Sequence, residues 1–108
     1  MKSFINQEKK KMLAQMHNAE FKLQDLVDAS NMSRSKYIKT FKDNFGKTPI
    51  AYVNELRMQH AAELMKTTNY TMKRIAFECG FTDRHYFCRC FKQAFGMTSS
   101  EFRKTLEK

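Results

Sequence analysis

A chain of 108 residues, with 20 Lys and Arg against 11 Asp and Glu, a net charge of +9 and 42% apolar residues, is long enough for one compact domain or two small lobes sharing an element, and too apolar for a disordered tail. Three Gly and one Pro, together with 3.6-residue periodicity, argue for an all-α fold, and the basic balance favours nucleic acid ahead of an acidic membrane surface or an acidic protein. Three Cys do not suggest a disulfide framework, no secretory leader or apolar run of about 18 residues is present, and a reducing, cytoplasmic setting is expected.

Residues 1–20 can form a helix with Phe4, Ile5, Met12, Leu13 and Met16 on one side, and Glu8 and the Lys9 to Lys11 run on the other, solvated side. His17 and Asn18 mark its end. Leu23 to Ala29 makes a two-turn helix with Leu23, Leu26 and Val27 inward, after which Ser30 and Asn31 turn the chain. Ser33 can cap a longer helix, Arg34 to Phe45, whose Tyr37, Phe41 and Phe45 face the core, and Gly46 suits its left-handed end. Thr48 and Pro49 then open a long helix as N-cap and first helical residue, reaching about Lys66. Val53, Leu56, Ala61 and Leu64 point inward along it, Ala62 allows close approach, and His60 reads as a packing residue.

From Tyr70 the chain repeats itself. Met72, Ile75, Ala76 and Gly80 stand 49 residues after Leu23, Leu26, Val27 and Asn31; past the turn, Phe87, Phe91, Phe95, Gly96 and Thr98 stand 50 after Tyr37, Phe41, Phe45, Gly46 and Thr48. One residue inserted just after the second turn accounts for the change. Gly80 suits that turn and Thr82 can cap a helix starting near Asp83. Thr98-Ser-Ser-Glu101 has the form of a capping box and opens a last short helix through Phe102 and Leu106. The expected division is residues 1–47 as a first lobe, 48–67 as a linker helix and 68–108 as a second lobe.

Short helix, tight turn and longer helix form a helix-turn-helix, whose second helix enters the major groove. On the outer side of the longer helices, Ser35, Ile38, Lys39 and Lys42 correspond to His85, Cys88, Arg89 and Lys92, with cations kept at the third and fourth places. Arg89 can fork onto guanine O6 and N7, and Lys39 can donate to the same acceptors. Ser35 and His85 can bond to base edges, and Ile38 and Cys88 can touch a thymine methyl. Arg34 and Arg84 can reach a base edge or a phosphate, while Lys42, Lys47 and Lys92 read as phosphate ligands.

The six-aromatic stripe at helical spacing reads as core rather than as a base-stacking platform. Cys88, Cys90 and His85 fall short of four converging zinc ligands, and Cys79 is expected to pack at the turn. With no Gly-rich phosphate loop, no H-E-x-x-H and no nucleophile beside a base, the expectation is a non-enzyme needing no cofactor or metal. An RNA-binding module would need exposed aromatics, and a membrane-surface or protein-docking module an exposed apolar face.

Residues Ile75 to Arg103, I-A-F-E-C-G-F-T-D-R-H-Y-F-C-R-C-F-K-Q-A-F-G-M-T-S-S-E-F-R, resemble the signature region of the AraC/XylS-type transcription regulators. Leu56 to Met65 resembles that family's linker helix, and Asn31 to Gly46 its first recognition unit. The resemblance spans Leu13 to Phe102 and implies about seven helices in two helix-turn-helix lobes joined by a long helix, bound to adjacent major-groove segments of double-stranded DNA. Carried over by position, the base contacts are Ser35, Ile38, Lys39, Arg84, His85, Cys88 and Arg89. Ser99 stands where the family usually has Pro, and Ser35 and Ile38 are small or apolar where many members are polar or large. The resemblance further implies RNA polymerase as a protein partner and a signal-receiving domain elsewhere in a larger bacterial regulator. The phrases M-S-R-S and T-N-Y-T look like output domains of two-component regulators, a free-standing small regulator being the alternative.

Overall fold

Five short side chains mark where five of the helices of this chain begin. In the computed structural model, which describes residues 2–18 and 20–106, the helices are α1 (Lys2–Gln15), α2 (Leu23–Ser30), α3 (Arg34–Phe45), α4 (Pro49–Thr67), α5 (Met72–Glu78), α6 (Arg84–Phe95) and α7 (Ser99–Leu106). Ser33 Oγ accepts from Lys36 N at 3.2 Å, Thr48 Oγ1 from Ala51 N at 3.2 Å and Thr71 Oγ1 from Arg74 N at 3.1 Å. Each satisfies a backbone donor that a helix start leaves free. Thr98 and Glu101 bond reciprocally, Thr98 N to Glu101 Oε1 at 2.8 Å and Glu101 N to Thr98 Oγ1 at 3.1 Å, which is the expected capping box.

The cap of α6 differs from the expectation. Asp83, not Thr82, takes the position, its Oδ1 accepting from His85 N at 2.9 Å. The repeat explains why: Asp83 lies 50 residues after the cap Ser33, so the exposed Thr82 is the inserted residue. The turns themselves are equivalent, with Asn31 at φ 62° and Gly80 at φ 89°, both left-handed.

Two buried clusters fill the lobes. Met12, Met16, Leu26, Val27, Tyr37, Phe41, Val53 and Leu56 form the first; Met58, Ala61, Met65, Ile75, Ala76, Cys79, Phe81, Phe87 and Phe91 form the second. Helix α4 serves both, its first half closing one lobe and its second half the other. Leu23, Phe45, Leu64 and Met72 pack around these clusters half-buried rather than inside them.

Helix α1 reverses one expectation. Glu8 is 2% exposed whereas Leu13 is 43% exposed, because Phe4, Glu8, Met12 and Met16 follow one another at four-residue steps along a single ridge. The Glu8 carboxylate is held by Tyr37 Oη at 2.6 Å and Lys11 Nζ at 2.9 Å. Burial, and then the hydrogen bond to Glu8, push the Tyr37 hydroxyl far above the ordinary tyrosine range, so it stays a donor. This bond pins α3 to α1. Tyr37→Phe strands a buried carboxylate oxygen and is expected to cost about 1–3 kcal/mol, read as a lower urea midpoint at unchanged m-value.

Candidate nucleic-acid interface

Each longer helix has an aromatic side that fixes it and an opposite side left to solvent. Tyr37, Phe41, Phe87 and Phe91 are fully buried, which removes them as a stacking platform for bases. Phe45 stacks on Phe41 with ring centres 4.0 Å apart, and Phe95 lies 4.5 Å from Phe91 while remaining 36% exposed. With those rings packed, rotation of α3 or α6 about its own axis is blocked. The outer residues are therefore held in place by the inner ones.

On α3, Arg34, Ser35, Lys39 and Lys42 are exposed; on α6, Arg84, His85, Arg89 and Lys92 are exposed. The structure thus gathers each set on one helix face, as its spacing requires. Ile38 and Cys88 occupy equivalent places and are both half-buried, Cys88 against the second core, so only part of either side chain faces outward. Lys47 sits outside both helices, in the turn before α4, and is paired with Glu55.

Several of these cations already have partners. Lys39 Nζ lies 3.1 Å from Asp43 Oδ2 with both side chains mostly exposed; such a pair is worth about 0.3–0.5 kcal/mol and is readily exchanged for a stronger acceptor. Lys42 and Lys92 stand in the last turns of α3 and α6, where they offset the negative end of the helix dipole. The Arg89 guanidinium lies 5.8 Å from the centre of the Tyr86 ring, a cation–π contact that orients the fork on the outer face.

Sequence reading missed a group behind Arg34. Its Nη1 donates to Gln24 Oε1 at 2.6 Å, and Gln24 Nε2 donates to Asp28 Oδ1 at 2.8 Å, so α2 holds the guanidinium at the start of α3. Gln24 and Arg34 are ten residues apart across the turn, and no local periodicity links them. In the second lobe the residue 49 positions after Gln24 is Lys73, which cannot accept. The two lobes therefore present their first arginines differently.

Cys79 and the inner histidine take packing roles. Cys79 is 1% exposed and burial pushes its thiol up to about 12, which leaves it unreactive. The His60 ring meets His17 edge-on with centres 4.7 Å apart. No helix among the described residues is long and apolar enough to cross a membrane.

Comparison with known proteins places this geometry. Residues 26–105 match the family profile described as a helix-turn-helix domain. The chain is 33% identical over 85 residues to the HTH-type transcriptional regulator MtrA of Neisseria gonorrhoeae, covering 79% of this chain and 28% of that protein. It is 32% identical over 91 residues to the HTH-type transcriptional activator RhaR of Mannheimia succiniciproducens, covering 84% and 33%. The chain thus spans about a third or less of each of these relatives. The C-terminal domain of the two-component response regulator yesN from Fusobacterium nucleatum superposes with a TM-score of 0.90 at 27% identity, covering 94% of this chain and 98% of that one. The DNA-binding domain of AdpA, in a crystal structure with a target DNA, shares the fold at a TM-score of 0.87 and 22% identity, covering 93% and 89%. With two helix-turn-helix lobes hung on one linker helix and a basic outer face on each longer helix, the chain belongs to the AraC-type helix-turn-helix family and is a DNA-binding domain of the kind its transcription regulators carry.

Proposed function

We propose that residues 1–47 and 68–108 read two adjacent major-groove segments of one DNA face through α3 and α6, with α4, within 48–67, as the spacer. The reading rests on one observation above all: the polar outer stripe of α3 recurs on α6 at the same places, each backed by a buried aromatic stripe. The 48 Å long axis of the molecule accommodates two helices set one DNA turn, about 34 Å, apart. Ser35, Lys39, Arg84, His85 and Arg89 are the base-facing groups, Ile38 and Cys88 add apolar edges, and Arg34, Lys42, Lys47 and Lys92 contact phosphates. The second lobe carries more of the sequence preference, since α6 offers Arg84, His85 and Arg89 where α3 offers Ser35 and Lys39.

The domain acts in the cytoplasm as the output module of a larger bacterial regulator, with RNA polymerase as a protein partner. Its likeness to a response-regulator C-terminal domain supports an output role in two-component signalling. Selection of bound sequences from random duplex DNA tests the reading. Arg89→Ala is expected to relax one base position at a cost of about 1–3 kcal/mol, whereas Lys92→Ala weakens all sequences alike and lowers the salt slope by about 1. Uniform weakening by Arg89→Ala would make Arg89 a phosphate ligand instead.

A further inference from the structure

One linker side chain touches both lobes. Arg57 Nε donates to the Met16 carbonyl at 2.9 Å and its Nη2 to the Asn18 carbonyl at 3.2 Å, so its fork closes on the corner between α1 and α2. On the other side its guanidinium lies 5.5 Å from the centre of the Phe81 ring, in the turn from which α6 springs. Among the described residues its charge has no carboxylate partner; two backbone carbonyls and an aromatic face satisfy it.

The same corner and turn meet directly beside it. A Cβ built on Gly80 would stand 2.5 Å from the Met16 carbonyl oxygen and 3.2 Å from Arg57 Nε, so the two backbones pack with no room between them. His17 Nδ1 bonds to the Glu78 carbonyl at 3.2 Å, and its ring meets His60 of α4 edge-on. Burial first, then the facing His17, holds His60 below the usual histidine range. Every one of these contacts runs between a segment of the first lobe, the linker helix, and the end of α5 or the α5–α6 turn. None of them lies on a base-reading face.

We propose that Arg57 is a positioning residue that sets the orientation of α6 relative to α3, and thereby the number of base pairs the protein requires between its two subsites. Each lobe is packed on its own half of α4, but a small bend or twist of that helix would still turn one recognition helix relative to the other. Three contacts to a planar, rigid guanidinium remove that freedom. Lysine, a point donor on a flexible stem, cannot close on both carbonyls and the ring together. The proposal rests on the two-groove reading above.

Spacing, not affinity, is the discriminating measurement. One inserted base pair moves the second subsite by about 3.4 Å and turns it by roughly 35°. Binding is measured on the selected duplex and on the same duplex with one base pair added or removed between subsites, with thermal melting alongside. The wild-type chain is expected to bind the altered duplexes about tenfold or more weakly, a penalty of the size of a mismatch. In Arg57→Met, which keeps the stem and loses every donor, that ratio is expected to fall to about twofold, and Arg57→Lys to lie between. Loss of stability alone would lower affinity for all three duplexes together and leave the ratio intact. An unchanged ratio in Arg57→Met, or in Arg57→Lys should the Met variant melt below the assay temperature, overturns the proposal, as does a wild-type chain indifferent to spacing. Failure of the wild type to select any duplex sequence overturns instead the two-groove reading beneath it.

Discussion

Phe91→Ala is expected to lower the stability of the domain by about 3–5 kcal/mol, the range for emptying a buried phenylalanine site. The side chain is fully buried, and its ring centre lies 6.1 Å from Phe87, 4.5 Å from Phe95 and 5.5 Å from Phe102. Those rings are held by α6 and α7, both committed by their own caps, so the site collapses only in part. Against a total of about 5–15 kcal/mol for a domain of this kind, the loss removes a large share of the stability. Urea denaturation checks it, with the half-exposed Phe95→Ala expected to cost clearly less. A Phe91→Ala midpoint close to that of the wild type would mean that α6 is oriented by something other than its aromatic side.

Gly80→Ala is the second large effect, and it has two causes that add. At φ 89° an alanine pays a left-handed penalty of about 1–2 kcal/mol. Its Cβ would also lie 2.5 Å from the Met16 carbonyl oxygen, a backbone atom that cannot step aside without moving the α1–α2 corner off Arg57. The combined expectation is a loss of about 2–4 kcal/mol, read by thermal melting. Asn31→Ala is the control, since Asn31 has the same handedness at φ 62° but lies exposed in the first lobe. It should cost only the conformational part. Equal losses in the two variants would show that the close approach at Gly80 contributes nothing.

Much of the fold was legible because its signals are local. Caps at Ser33 and Thr48, the left-handed ends at Gly46 and Gly96, and the aromatic steps from Tyr37 and Phe87 are read within a few residues of where they act. The charge of Glu8 argues for solvent, but its position on an apolar ridge prevails because a distant Tyr37 hydroxyl comes to meet the carboxylate. At the start of α6 the residue type suggests Thr82 as the cap, whereas the repeat points to Asp83, 50 residues after Ser33. Carried back to α1, that repeat also sets Met12 and Met16 49 residues before Ala61 and Met65, which are buried as well, and Glu8 49 before Arg57.

By itself, then, the sequence determined the helices, their order, the doubling of the helix-turn-helix and the family to which the doubling belongs, since hydrophobic spacing, capping chemistry and an internal repeat are properties of neighbours along the chain. Only the tertiary structure decided that Glu8 would be an internal acceptor, that Gln24 would steady Arg34, and that Arg57 would grip the corner of one lobe and the turn of the other. Those partners lie 29, 10 and 41 residues apart, and a hydrogen bond between such positions exists only once packing has brought them within about 3 Å.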